Sequence, residues 1–575
     1  MIASSKMSGK YCNAAEDKAV QFLKSKLAIT LAVLISFWVG GITALSALRD
    51  ADTCWLLALG KIIALTGLPE SDPFSYTYFV MQETGTAPPF IMHQWLSELL
   101  FYLVYRSGGE AALVFLVATL TTVTFTVLPA LSLRWAKVSP ALCVLTGSLA
   151  QLAASFHFFA RPELFSYPLF AAALTLVSCM LRKNRGRWLV LAVYGTLSAI
   201  WCNIHSSFVL AVALSFLPLV AYFAAQLFSG NTSGESQSGE SKQAIHATFL
   251  LLPMVSALCT LLNPAGYRLW EYLPRLFFMK IAINETRTLA LSDLGTIELY
   301  PFFGLLALYL FCLFRSRQVA QNGDSSSTDK RSTQNGTQNS TQVSAPKDTQ
   351  RGTPNGIQDA GHILLALFAC TLSLSRIRLI VYALIVIAFE LPYLLSLLKV
   401  RSAPTEGSST QAKDSPASAR GLAALLLAPL ACLAGTLYVS TALSPPRLPQ
   451  PMPGFKPPFK AIAYLQAHHP EGPVLNDARY GNMLIWNLEP PVPVFIDTRF
   501  DMYGDDFFEQ YAMLNNCDEG WQKALSDFAI EWVFLPRDRP LALALSKDPD
   551  WKTYYSDDCA VILQRVHNQG NKSHE

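Results

Sequence analysis

The chain has 575 residues, of which 51% are hydrophobic and only 15% charged, with a net charge of +3 and a positive mean hydropathy. That balance belongs to a polytopic membrane protein and excludes a soluble enzyme; the small net charge excludes a nucleic-acid partner. Eleven cysteines are scattered, most of them in apolar runs where they behave as small hydrophobes, and no CxxC or Cys/His spacing suggests a zinc site.

Residues 1–26 read as a cytoplasmic N-terminus, because Lys18, Lys24 and Lys26 precede the first apolar span, 27–48. No small-residue cleavage site clearly follows that span, so it reads as an uncleaved anchor. Asp50-Ala51-Asp52 then emerges on the outer face, at the depth where acid–base chemistry on a lipid-linked substrate needs carboxylates. Asp52 is equally a good N-cap for 53–66, a run with Trp55, Ala58, Leu59, Ile62 and Ile63 at helical spacing. That run is too short to cross a bilayer and is expected to lie in the interface. The first outer loop, 49–110, continues with a turn at Asp72-Pro73 and a second short amphipathic helix opening at His93. Gln94 and Glu98 share a face of that helix, which local pattern reads as a wet polar face.

Ten further spans follow: 111–133, 141–158, 164–181, 188–202, 208–228, 247–262, 299–314, 363–374, 379–398 and 422–439. Counting the first span as one, basic residues follow every even-numbered span but the sixth, with Arg134, Arg182, Arg315 and Lys399 among them; they set the inner side and support a count of about eleven. The inner segment 318–359 is rich in Ser, Thr, Gln and Asn and is expected to be disordered. Residues 27–444 therefore form a mainly α, multi-pass bundle in the inner (plasma) membrane. A proline-rich linker opens the remainder, 445–575, a small α/β extracytoplasmic domain. Strands are expected at 474–476, 492–496, 532–535 and 561–563, and helices at 507–514, 521–528 and 541–546. Cys517 and Cys559 share this oxidising side, which leaves a disulfide open.

Polar residues collect at the outer ends of spans: Arg161 and Glu163, Asn203 and His205, Arg268, and Arg376 with Arg378. Each arginine alone reads as a snorkelling headgroup anchor, but a guanidinium also holds a phosphate bidentately. Their collection opposite the positive-inside bias points to the second role for the group.

These residues resemble a widespread family of prokaryotic membrane proteins described as glycosyltransferase-like, of GT-C architecture. The resemblance rests on Asp50-Ala-Asp52-Thr-Cys-Trp55, Asp72-Pro-Phe-Ser-Tyr-Thr77, His93-Gln-Trp-Leu-Ser-Glu98 and Ala160-Arg-Pro-Glu-Leu-Phe-Ser166. Trp201-Cys-Asn-Ile-His-Ser206, Leu262-Asn-Pro-Ala-Gly-Tyr-Arg-Leu-Trp270, Asn476-Asp-Ala-Arg-Tyr-Gly481, Val494-Phe-Ile-Asp-Thr-Arg-Phe-Asp-Met-Tyr-Gly504 and Trp532-Val-Phe-Leu-Pro-Arg-Asp538 extend it. It implies a donor such as a polyprenyl-phosphate sugar, a glycan, lipid or protein acceptor, and membrane lipids around the bundle. It gives the acceptor-activating role to Asp50 or Asp52. Arg161, Arg268, Arg376 and Arg378 would hold phosphate, and His93, Glu98, Glu163, Asn203 and His205 would contact substrate. The family pattern often carries His where this chain has Leu56 and Glu where it has Gln94. No metal ligands are therefore assigned, and a divalent cation is carried over only as a cofactor the pattern admits. The reading from a different class is a non-catalytic protein that binds or translocates a lipid-linked glycan.

Overall fold

The computed structural model describes residues 34–36, 38–44, 46–182, 187–228, 239–279, 288–289, 293, 296–332, 355–401, 448–451, 454–489 and 492–566. The start of the first expected span, all of 422–439 and most of 445–453 lie outside these residues.

Six helical runs are long and apolar enough to cross a membrane: Trp95–Ala136, Glu163–Leu181, Ser206–Leu227, Ile297–Gln318, Gly356–Ser375 and Ile377–Leu398. Shorter apolar helices, Pro140–Ala153, Trp188–Trp201 and Ala247–Cys259, pack among them. The run expected over 141–158 stops at Ala153, where a 3-10 turn at Ser155–His157 leads towards the buried pair His157–Glu163. At the two ends of the segment 318–359 helix continues to Ser332 and resumes at Asn355, while residues 333–354, the middle of the segment expected to be disordered, lie outside the described residues. Extending a helix that is already nucleated fixes one residue per added hydrogen bond, so polar sequence follows a span at little cost.

Four elements of the N-terminal two fifths frame one end of the bundle: α1 (Asp52–Thr66), α2 (Tyr76–Glu83), α3 (Trp95–Thr122) and α4 (Glu163–Arg182). Residues 53–60 of α1 are all buried, so α1 is a core helix rather than the interfacial one expected from its length. It packs on α3 and on the C-terminal domain. Gly60 makes the α1–α3 crossing possible, since a Cβ there would stand 2.2 Å from the carbonyl oxygen of Glu98. The helix opening at His93 is short as expected, because non-helical φ/ψ at Gly108 and Gly109 break α3 into residues 95–107 and the span that follows; its Glu98 is buried, however, and not part of a wet face. Helices α5 (Arg268–Phe278) and α6 (Ile380–Arg401) complete the frame. Residues 380–388 of α6 are all fully buried, as befits a helix that is apolar on every side.

The C-terminal domain is a four-stranded sheet in the order β1 (Val474–Asn476), β2 (Trp532–Pro536), β4 (Ala560–Arg565), β3 (Trp551–Ser556). β1 and β2 run parallel and the other pairs antiparallel. Helices at Asp505–Asn516, Trp521–Asp527 and Pro540–Leu545 match the expected positions. The stretch 492–496 is not a strand; Val494 alone bridges Val474 and Ser75. Cys517 and Cys559 are both free thiols rather than a disulfide.

The first loop is stitched to this domain. The Tyr76 amide donates to the Val494 carbonyl at 3.2 Å, the Val494 amide donates to Phe74 at 2.9 Å, and Thr77 Oγ1 donates to Phe495 at 2.5 Å. Helix α7 (Ala478–Asn487) lies against α1, and Gly481 admits the Ile496 carbonyl 2.1 Å from where a Cβ would be.

Candidate functional site

Where α1, α3 and α4 meet the C-terminal domain, a cavity of about 200 Å³ opens. Its wall includes Asp52, Trp55, His93, Gln94, Glu98, Arg161, Glu163, His205, Tyr272, Arg378, Thr498, Arg499 and Asp501. Of the residues singled out in the sequence, it brings together Asp52, His93, Glu98, Arg161, Glu163, His205 and Arg378. Residues far apart in sequence thus share one polar enclosure.

The remaining ones sit elsewhere. Asp50 lies one bond away, behind Arg161. Asn203 is a strut: its Oδ1 accepts from Trp95 Nε1 at 2.6 Å and from Asn263 Nδ2 at 3.2 Å, and its Nδ2 donates to the Leu262 carbonyl at 3.0 Å. Arg268 is exposed at the start of α5. Arg376 donates to the Phe277 carbonyl and covers the Phe277 ring at 5.7 Å. Arg376 and Arg378 therefore part company, with only Arg378 in the cavity wall.

The Asp50–Asp52 pair is fully engaged. Asp50 Oδ1 accepts the Asp52 amide at 3.0 Å, which is the capping contact expected of Asp52 itself; the N-cap residue is Ala51. Asp50 Oδ2 accepts from Arg161 Nε, and Asp52 Oδ2 lies 3.3 Å from Arg161 Nη2. Asp52 Oδ1 accepts from Thr498 Oγ1 at 2.5 Å and from Asn482 Nδ2 at 3.2 Å. One guanidinium thus bridges both carboxylates, and the C-terminal domain fixes the second. A divalent cation shared by the two carboxylates does not fit this arrangement, because the Arg161 guanidinium already stands at the bridging position. Among the described residues no group of three or more His, Cys, Asp and Glu is placed to hold a metal.

Arg499 anchors the far wall. Its Nη1 bonds Asp72 at 2.5 Å, its Nη2 and Nε bond Asp497 at 2.5 and 2.9 Å, and its guanidinium faces the Trp55 and Phe74 rings at 5.6 and 5.3 Å. Burial raises the Asp72 carboxyl, with Arg499 pulling the other way and Asp497 adding to the rise. Asp501, raised by burial, accepts from the Tyr272 hydroxyl, whose ring lies 5.3 Å from that of His93. Burial holds His93 below its ordinary value and pushes His205 down to about 4. His205 Nδ1 accepts the Ser207 amide at 3.2 Å, and Glu163 bonds His157 at 3.0 Å.

Sequence reasoning did not assign Asn482, Thr498, Arg499 or Asp501 to the site, although three of them lie in the quoted segment 494–504. The available signal was the interruption of the apolar run Val494-Phe495-Ile496 by Asp497-Thr498-Arg499 inside a domain core, where charges survive only when paired.

No family model matches the chain, and no curated protein does. Among solved structures, the oligosaccharyltransferase AglB from Archaeoglobus fulgidus, in complex with an inhibitory peptide and a dolichol-phosphate, superposes with a TM-score of 0.51 at 11% identity, over 90% of this chain and 70% of that one. The apo form of the Archaeoglobus fulgidus oligosaccharyltransferase gives 0.50 at 11% identity, over 89% and 69%. At such identity the likeness is one of fold, and the fold is GT-C-like.

Proposed function

We propose that this chain moves a sugar from a polyprenyl-phosphate carrier to an acceptor on the extracytoplasmic side of the plasma membrane. The observation that carries the reading is the presence of Arg161 and Arg378 in one cavity with Asp52. A transferase acting on such a donor needs cations for the phosphate and a carboxylate for the acceptor, at one place. The dolichol-phosphate and peptide in the complex with the similarly folded AglB agree with a lipid-linked donor and a separate acceptor in this architecture.

Asp52, aligned by Thr498 and Asn482, takes the proton of the acceptor group as the acceptor atom bonds to the anomeric carbon. The bond from that carbon to the phosphate oxygen breaks, and its electron pair leaves with the lipid phosphate. Arg161 and Arg378 stabilise the charge that develops there. Asp50 holds Arg161 in place. Direct displacement inverts the anomeric centre.

The test is release of polyprenyl phosphate from polyprenyl-phosphate sugars by the purified protein in nanodiscs supplied with membrane extract as acceptor. Arg378→Lys keeps a charge but loses the planar fork, and is expected to slow release about tenfold or more. Arg376→Lys, outside the cavity, is expected to leave it unchanged. Full activity in the Asp50→Asn, Asp52→Asn and double variants would reject the reading.

A further inference from the structure

We infer that the Trp55–Glu98 side of the cavity is a binding site for the hydroxyl groups of a neutral sugar ring. The inference rests on the reading of this cavity as a lipid-phosphate sugar site and specifies where the sugar lies within it.

Trp55 is 7% exposed and Glu98 2%, and both line the cavity. Among the described residues, neither Trp55 Nε1 nor Glu98 Oε2 has a hydrogen-bond partner. Buried polar atoms without partners are rare and costly, and these two belong to side chains that line the same cavity. Their positions are fixed by the close α1–α3 crossing, because Gly60 of α1 lies against the Glu98 backbone.

The two atoms select a ligand chemistry. Trp Nε1 only donates, so its partner must accept. The Glu98 carboxyl accepts when ionised and both donates and accepts when protonated. An ammonium group would suit an ionised Glu98 but cannot accept from Trp55. A carboxylate or phosphate would suit Trp55 but is repelled by an ionised Glu98. A hydroxyl both donates and accepts, and so satisfies either atom in either state of Glu98. Gln94 beside Glu98 adds a second group suited to hydroxyls. The phosphate belongs with Arg161 and Arg378, and the sugar ring it carries belongs with Trp55 and Glu98.

The experiment titrates the full chain in nanodiscs with farnesyl phosphate and, separately, with farnesyl phosphate bearing glucose, galactose, mannose or arabinose. The wild type, Trp55→Phe and Glu98→Met are compared. At least one sugar conjugate is expected to bind about tenfold more tightly than the bare lipid. Each variant is expected to lose that gain while its affinity for farnesyl phosphate is unchanged. The inference is overturned if no conjugate exceeds the bare lipid, or if the gain survives both substitutions. It is also overturned if both ligands weaken in parallel, which marks a merely structural effect. Failure of the underlying reading looks different: farnesyl phosphate itself would not bind, or would bind indifferently to Arg378→Ala.

Discussion

Two sides of one cavity handle their carboxylates in opposite ways. On the Asp50–Asp52 side, each oxygen has a protein donor, and a single guanidinium joins the pair. On the Glu98 side, a carboxyl buried at least as deeply as Asp50 and more deeply than Asp52 keeps one oxygen without a partner among the described residues. The first side is built to be rigid without any ligand. The second is left incomplete, which costs stability and is retained where a ligand completes it.

The contrast predicts opposite signs for substitution. The largest effect is expected at Arg499, which neutralises Asp72 and Asp497 at once. Arg499→Ala strands two buried carboxylates and should destabilise the C-terminal domain by about 3–5 kcal/mol, read as a lowered thermal midpoint in detergent. A midpoint within a degree of wild type would show that the network is ornamental.

Acid should act next. His205, held near 4 in the fold, stays neutral while an unfolded chain, with its histidine near 6.5, takes up a proton. Between those values the unfolded state binds more protons, so stability falls as pH drops and is fully present above about 6.5. The loss approaches roughly 3 kcal/mol by pH 4, and His205→Asn should flatten that part of the profile. An identical profile in the variant would assign the acid sensitivity to other groups.

Arg161→Gln should cost about 2 kcal/mol, less than Arg499→Ala because Arg161 is partly solvated. It also frees Asp50 and Asp52, and the variant is expected to gain a Mn²⁺ site detectable by electron paramagnetic resonance that the wild type lacks. Mn²⁺ binding at the pair in the wild type would break the description of Arg161 as its resident cation. The smallest effect has the other sign. Glu98→Met removes the unsatisfied oxygen and should stabilise the chain by about 1 kcal/mol in the absence of ligand. Destabilisation there would mean that the bond between Glu98 and Gln94 outweighs the cost of the unsatisfied oxygen.

How much of this was legible beforehand follows from the range of the forces involved. Apolar length marked the helices at Glu163–Arg182 and Ile380–Arg401, and the local pattern marked most of Asp505–Asn516, because burial of one face or of all faces is written locally. β3 was missed because only Trp551 of that edge strand is buried, so it shows no apolar alternation. The interfacial placement of α1 failed for a different reason. Length says that a helix does not cross a membrane, but not what covers it, and the cover is α7, some 400 residues downstream. The same limit explains the site. Asp52, Arg161 and Glu163 stand out by charge at the ends of apolar runs. That Arg378 joins them while Arg376 turns to Phe277 is decided by a single 3-10 turn at Ile377–Leu379, which no periodicity reports.

The bridge between Ser75 and Val494 carries a consequence for biogenesis. Membrane helices leave the ribosome in order and can be seated one after another, but the wall formed by Thr498, Arg499 and Asp501 is synthesised long after the carboxylates it faces. Until that late segment emerges and docks on the strand-like stretch at Ser75, Asp52 lacks Thr498 and Asn482, and Asp72 lacks its arginine. The nascent protein therefore has no finished cavity while its helices are still being inserted. Completion of the pocket is tied to completion of the chain.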